Sequence, residues 1–340
     1  MLDKVLVMPR QARIDAPGAL HHIIVRGIEH RKIFNDDQDR YDFLSRFGDI
    51  LEQTQTACYA WALIPNHFHL LLRTGAYPVA TIMRRLLTGY AISYNRRQRR
   101  HGHLFQNRYK SILCQKVTYF LELVRYIHLN PLRAGLVKDL NDLNTYAFSG
   151  HGVILGKHQQ SWQHSKPVLA YFGKRVKTAR NQYTAFVAKG VDQGRRTDLI
   201  GGGLIRSIGG WSAVSEMRKA NVHVKSDERI LGDGDFVAQI LDQANETLER
   251  KYALKAGGMN VQRIAERVAR LLDMPIEDIW LEGRYKRLVT ARSLLCFWAV
   301  RELGVSMASL SRKLGISTVA VSKSVERGAG IVKKEGYKLI

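Results

Sequence analysis

Two short runs in this 340-residue chain hold side chains whose types and spacing suit phosphodiester chemistry: Pro65-Asn66-His67-Phe68-His69 and Tyr126-Ile127-His128-Leu129-Asn130-Pro131. Within an apolar run, His67 and His69 at i and i+2 read as a strand with two imidazoles on one face and Phe68 turned to the core. Tyr126 and Asn130 at i and i+4 share one face of a helix, with His128 pointing elsewhere. Two imidazoles and the Asn130 carbonyl oxygen leave open positions on a divalent ion, Mg²⁺ or Mn²⁺, which would hold a scissile phosphate. Tyr126 would then attack in line as the nucleophile. Its phenol, ordinarily titrating at about 10, needs the cation and nearby arginines to ionise. Tyr119, seven residues earlier on nearly the same face, competes for that role. A lone His-X-His describes an ordinary half-buried strand, and a lone Tyr126 a packed helical tyrosine. The coincidence of both constellations in a basic chain favours chemistry.

The formal net charge of +23 points to a polyanionic partner, nucleic acid ahead of an anionic membrane surface. The charge is uneven: from Arg73 to Lys138 the chain carries thirteen Lys/Arg and one acidic residue, Glu122. Arg84, Arg85, Arg96, Arg97, Arg99, Arg100, Arg108 and Lys110 are the expected phosphate contacts there, with Tyr90, Tyr94 or Phe105 available to stack on unpaired bases. No apolar run approaches the roughly 20 residues of a membrane span. The first ten residues are too short and too charged for a secretory signal, and Met8, followed by a basic segment, is a second candidate start. Cys58, Cys114 and Cys296 are scattered without CxxC spacing, which suggests neither a disulfide framework nor a zinc site and fits core thiols in a reducing cytoplasm.

These residues need elements to position them. The pattern predicts a strand over 21–27, a helix capped by Asp36 or Asp37, strands over 58–64 and 67–73 joined by a Pro65-Asn66 turn, and a helix from Pro78. A strand over 109–114 and a helix over 118–129 stopped by Pro131 follow. The order β-α-β-β-α-β is the split, ferredoxin-like α+β arrangement with one added helix. Residues 157–257 read as an all-α connector that holds Trp162, Phe172, Phe186 and Trp211, with Gly201-Gly202-Gly203 as a plain turn. From about Met259 the chain is helical again. Ser306 to Val325 has helix-turn-helix spacing, with a turn at Gly315, a cap at Ser317, and Thr318, Ser322 and Lys323 facing outward on the second helix, the one suited to a major groove.

The motif at 65–69 resembles the histidine-hydrophobic-histidine signature of HUH endonucleases. Together with Tyr126 to Pro131 and with Gly102-His103-Leu104-Phe105-Gln106-Asn107-Arg108-Tyr109-Lys110, it looks like the single-tyrosine transposases, in particular the REP-associated tyrosine transposases, over about 8–156. The resemblance implies His67, His69 and Asn130 as metal ligands and Tyr126 as nucleophile. It implies a 5′-phosphotyrosine intermediate, a free 3′-hydroxyl, and short imperfect hairpins of single-stranded DNA as substrate. Single-tyrosine relatives include monomers and homodimers. Residues 265–325 separately look like the helix-turn-helix domain of the replication initiator DnaA, so double-stranded DNA is a second expected partner and a nucleoid location follows.

The expected organisation is therefore an HUH transposase domain over 8–156, a helical connector over 157–257, and a helix-turn-helix DNA-binding domain over 258–340. The expected function is cleavage and rejoining of hairpin DNA. A non-catalytic, sequence-specific DNA-binding regulator acting through the C-terminal helices is the alternative. An RNA-binding ferredoxin-like module is weaker, because the relevant sheet face carries histidines in place of stacked aromatics.

Overall fold

The computed structural model describes residues 14, 15, 18–75, 77–194, 196, 199, 227, 229–281, 283 and 285–339. The triple glycine and Trp211 lie outside the described residues. The chain divides into two compact units, Met1–Gln239 and Ile240–Ile340.

The first unit is built on a five-stranded sheet, with strands β1 (Leu20–Arg26), β2 (Ala57–Ile64), β3 (His67–Arg73), β4 (Lys110–Cys114) and β5 (Ile230–Leu231) in the order β2-β3-β1-β4-β5. The first four strands are antiparallel in the ferredoxin-like order, and β5 adds in parallel beside β4. The expected α+β class and split β-α-β core are what the sheet displays. Pro65-Asn66 makes the β2–β3 turn, so the register pairs Ile64 with His67 and Ala62 with His69. The outer edge of β2 is partly covered by bridges from Ala62 to Ser149 and Cys58 to Gln163, which blunts it against pairing with another chain.

Strand alternation divides the core in two. On one face Ile23, Val25, Phe68, Leu70 and Leu72 pack against α1 (Asp37–Thr54) and α2 (Val79–Arg97). Asp36 caps α1 by accepting the Asp39 N–H at 2.8 Å. On the other face Leu20, Ile24, Ala60, Ala62, Leu71 and Ile112 lie under α3 (Lys116–His128), whose Phe120, Leu123, Val124 and Ile127 are buried. Burying each such side chain contributes about 1.5–3 kcal/mol before entropy is counted.

Helices α4 (Asn130–Arg133), α5 (Leu140–Thr145), α6 (Gly150–Leu155), α7 (Ser165–Leu169) and α8 (Val176–Ala188) follow α3. Two expectations are corrected here. Pro131 does not stop a helix: α3 ends at His128, and Pro131 sits in the first turn of α4, where its missing N–H costs nothing. The core carries several added helices, not one. Residues expected in a connector join the same cores: Phe172 and Phe186 pack on the α3 face, and Trp162 packs on the α1 face, where Gly48 leaves it room. All three cysteines are buried free thiols, as expected. Among the described residues no helix is long and apolar enough to cross a membrane.

The second unit has its own core of Ile264, Val268, Leu294, Leu295, Trp298, Leu310, Val321 and their neighbours. Helix α9 (Gly234–Ala256) leads into it, followed by α10 (Val261–Leu271), α11 (Lys286–Phe297), α12 (Met307–Leu314) and α13 (Thr318–Glu335). Ser306 caps α12, Gly315 at φ 65° ends it, and Ser317 caps α13. Thr318 and Lys323 are exposed and Ser322 is half-buried.

Helices α11 and α13 cross so closely that a Cβ on Gly328 would lie 2.1 Å from the Ser293 carbonyl oxygen, whereas one on Gly330 would meet nothing within 4 Å. Gly328→Ala should therefore lower stability by roughly 1–3 kcal/mol through forced separation of the helices. Gly330→Ala should raise it by about 0.5–1 kcal/mol through helix propensity. Urea unfolding of both variants checks this, and shifts of the same sign would contradict the close crossing.

Candidate active site

The site residues meet between α3 and the middle of the sheet. His67 and His69 are alternate residues of β3, so both point to the α3 face while Phe68 enters the opposite core. Their ring centroids lie 5.2 Å apart. Tyr126, on α3, packs edge-on against His69 at 5.8 Å. Tyr126 is buried but for 7% of its surface. Tyr119, the competitor, is a half-buried residue packed against the edge of the α3-side core.

Hydrogen-bond partners fix the histidine tautomers. The Asn66 side-chain oxygen lies 2.7 Å from His67 Nδ1, and because that oxygen accepts, Nδ1 carries the proton and the lone pair sits on Nε2. His69 Nδ1 lies 3.0 Å from Nε2 of His22, a residue of β1. His22 Nδ1 in turn lies 3.3 Å from the Leu199 carbonyl oxygen, so it must donate there. His22 Nε2 then accepts from His69 Nδ1–H, and the His69 lone pair is also on Nε2. Burial drives both His22 and His69 toward the neutral form. His22 falls to about 4, with the Leu199 hydrogen bond opposing and Lys110 reinforcing. His69 lies well below its usual range, first through burial and then through His22, His67 and Arg26.

Asn130 donates Nδ2–H to the Tyr126 carbonyl at 2.8 Å, so its amide nitrogen, not its carbonyl oxygen, is the end bound to the helix. Two imidazoles with Nε2 lone pairs and an amide oxygen fit a hard-to-borderline divalent cation. Among the described residues no group of three His, Cys, Asp or Glu side chains forms a metal cluster, so a cation here would take the two histidines and oxygen donors.

Arg133 places its guanidinium 5.2 Å from the Tyr126 ring centroid and bonds the Tyr126 carbonyl at 3.3 Å. Lys110 and Arg26 are exposed and share the histidines' sheet face by strand alternation, Arg26 directly opposite His67. The other expected DNA contacts lie elsewhere. Arg84, Arg85, Arg96 and Arg97 belong to α2, which covers the opposite face of the sheet, and Arg99 and Arg100 follow its end. Arg84, Arg96, Arg99 and Arg108 are exposed. Arg84 and Arg108 line a groove of 660 Å³ with Met83, Leu87 and Phe105. Arg97 instead pairs with Asp36 and Asp39 at the start of α1, Arg100 holds the His103 carbonyl at 2.8 Å, and Arg85 bonds Gln53. The expectation that Tyr90 or Tyr94 stacks on bases is overturned. Both rings are buried, with Tyr90 donating to the Ile33 carbonyl at 2.6 Å and Tyr94 to that of Lys32 at 3.3 Å. Phe105 is half-buried and keeps an open edge.

Two site features were missed from the sequence: His22, and the anchor behind α3. His128 faces away from the sheet and joins Tyr183 and His151 in a fully buried chain. Asn144 Oδ1 accepts from His151 Nε2–H at 2.9 Å, His151 Nδ1 accepts the Tyr183 hydroxyl proton at 2.9 Å, and the Tyr183 oxygen accepts His128 Nδ1–H at 2.7 Å. Gly150 has no side chain because a Cβ there would sit 2.9 Å from His128 Nε2. The chain ties α3 to α5, α6 and α8, and so holds Tyr126 over the histidines.

Residues 17–130 match the family model described as "Transposase IS200 like", a span that includes His22, the His67/His69 pair, Tyr126 and Asn130. That match agrees with the motif-based expectation of a transposase-like domain in this part of the chain. A solved structure of a REP-associated tyrosine transposase bound to a REP hairpin aligns at a TM-score of 0.37 and 16% identity, covering 46% of this chain and 98% of that chain. No curated protein matches the chain.

Burial holds His151 at about 4 and His128 well below its usual range. Both are neutral when folded but titrate at 6.5 when unfolded. Their contribution is full above that value. It erodes as pH falls toward 4, because the unfolded chain then takes up protons that the fold refuses, at up to about 1.4 kcal/mol per pH unit for each histidine. His22 and His69 act with the same sign. Stability measured by urea unfolding should fall from pH 7.5 to pH 5, and His151→Gln should flatten that slope by about one proton. An unchanged slope in the variant would contradict the neutral buried chain.

Proposed function

We propose that this protein cleaves and rejoins single-stranded hairpin DNA through a covalent bond between Tyr126 and a 5′-phosphate, a reading supported by the match of residues 17–130 to the IS200-like transposase model. The observation that carries this reading is the packing of the Tyr126 ring on His69, whose own ring lies against that of His67. The hairpin substrate follows from the motif resemblance and the +23 charge.

In this reading His67, His69 and the Asn130 oxygen hold Mg²⁺ or Mn²⁺, which supplies charge neutralisation at the scissile phosphate. Tyr126 attacks the phosphorus in line, a phosphorus–oxygen bond to Tyr126 forms, and the bond to the 3′-oxygen breaks, leaving a 3′-hydroxyl after proton uptake. Arg133 beside the ring favours the phenolate. Lys110 and Arg26 attract the flanking phosphates. Because the tyrosyl phosphodiester conserves the energy of the bond it replaced, a second 3′-hydroxyl reverses the reaction and rejoins a strand. The exposed arginines Arg84, Arg96, Arg99 and Arg108 grip the folded hairpin on the α2 side, with Phe105 as the stacking ring. Arg85, Arg97 and Arg100, already engaged within the protein, contribute less. Helices α12 and α13 form a helix-turn-helix that presents Thr318, Ser322 and Lys323 to double-stranded DNA.

Tyr126→Phe should cut formation of a denaturant-resistant DNA adduct on the order of a thousandfold or more while leaving hairpin affinity nearly intact. A labelled hairpin, Mn²⁺ and a denaturing gel provide the assay. Adduct surviving in that variant moves the nucleophile to Tyr119. Cleavage indifferent to EDTA removes the metal from the mechanism, and hairpin binding with no cleavage by the unmodified chain favours a non-catalytic regulator.

A further inference from the structure

We propose that His22 is the positioning residue of the site: it fixes His69 as the Nδ1–H tautomer and orients its Nε2 lone pair for a divalent cation. This rests on the metal-dependent reading above, but concerns a residue that neither histidine motif contains.

The argument is one of donors and acceptors. The Leu199 carbonyl can only accept, so His22 Nδ1 must carry a proton to bond it at 3.3 Å. A neutral imidazole has one proton, so His22 Nε2 is left as an acceptor. The partner 3.0 Å away, His69 Nδ1, must therefore donate. Polarity thus passes from a main-chain carbonyl through two rings, and His69 Nε2 is the nitrogen left with a lone pair. Both His22 nitrogens are engaged, so His22 acts on the site through His69 and is not itself a ligand. The two rings are stacked at 5.3 Å and 26°, and His22 also meets the Tyr126 ring edge-on at 5.9 Å. One buried side chain therefore touches both the ligand and the nucleophile. His22 is 0% exposed, which keeps water from offering His69 the opposite tautomer.

The test uses the full chain labelled with ¹⁵N-histidine at pH 7.5. Long-range ¹H–¹⁵N spectra report each ring's tautomer, and the His69→Ala spectrum identifies the His69 signals. Calorimetric titration with Mn²⁺ gives a second readout that needs no DNA. In the unsubstituted protein His69 should appear as the Nδ1–H tautomer. His22→Leu, which removes the acceptor, should release that tautomer and weaken Mn²⁺ binding by about 10–100-fold. His22→Gln keeps an acceptor for His69 and a donor for Leu199, and should restore both. His69 seen as Nε2–H in the unsubstituted protein overturns the proposal, and this arm stands even if His22→Leu does not fold. An unchanged tautomer in folded His22→Leu overturns it equally. Absence of Mn²⁺ binding by the unsubstituted protein defeats the metal reading instead, while the spectra still decide the role of His22 in setting the tautomer.

Discussion

Burial of the apolar face of α3 against β2 and β3 is the interaction on which the rest of the site depends. Phe120, Leu123, Val124 and Ile127 are held against Ile24, Ala60, Ala62 and Leu71. The small side chains Ala60 and Ala62 of β2 let the helix lie close, and the close approach brings the Tyr126 ring onto His69. The polar chain through His128, Tyr183 and His151 holds the helix from its other side. A helix held between an apolar sheet face and a buried hydrogen-bonded chain is fixed in its rotational setting. In that setting Tyr126 points to the histidines, and the proposed in-line attack requires a nucleophile held in this way.

Burial also governs the electrostatics. The histidines are neutral because they are out of water, and a neutral imidazole is the form that binds a cation. The positive charges near them, Arg26, Lys110 and Arg133, sit toward the open side or over the tyrosine ring. The larger basic surface belongs to α2 on the opposite layer of the sheet. Under the proposed function, chemistry and grip fall on different faces of one sheet, and the sheet sets the distance between them.

Much of this was legible in the sequence. Alternation exposed β3 and the shared face of His67 and His69, the Pro-Asn pair marked the turn, and i,i+4 spacing put Tyr126 with Asn130. Four things were not read correctly, each for a physical reason. His21 and His22 are adjacent, so they face opposite sides of β1, and only the strand order tells which one meets His69. That order was itself expected, so the signal was present. Tyr90 and Tyr94 continue the four-residue stripe of Ile82 and Leu86 into the core, and their hydroxyls find backbone carbonyls, so aromatic residues beside arginines were not a binding surface. The arginines between the two motifs in sequence read as one basic surface of phosphate contacts, whereas α2 crosses to the other layer before β4 returns. The His128–Tyr183–His151 chain spans residues far apart in sequence, and no local pattern announces it.

The central claim is that Tyr126 forms the covalent bond to DNA. It is tested most directly by trapping the full-length protein on a single-stranded hairpin with Mn²⁺, digesting with trypsin and nuclease, and locating the nucleotide by mass spectrometry. The account predicts a 5′-phosphonucleotide on the peptide that runs from Tyr126 to Arg133. Modification of the peptide bearing Tyr119 in place of that one, or strand cleavage with no modified peptide, would contradict it.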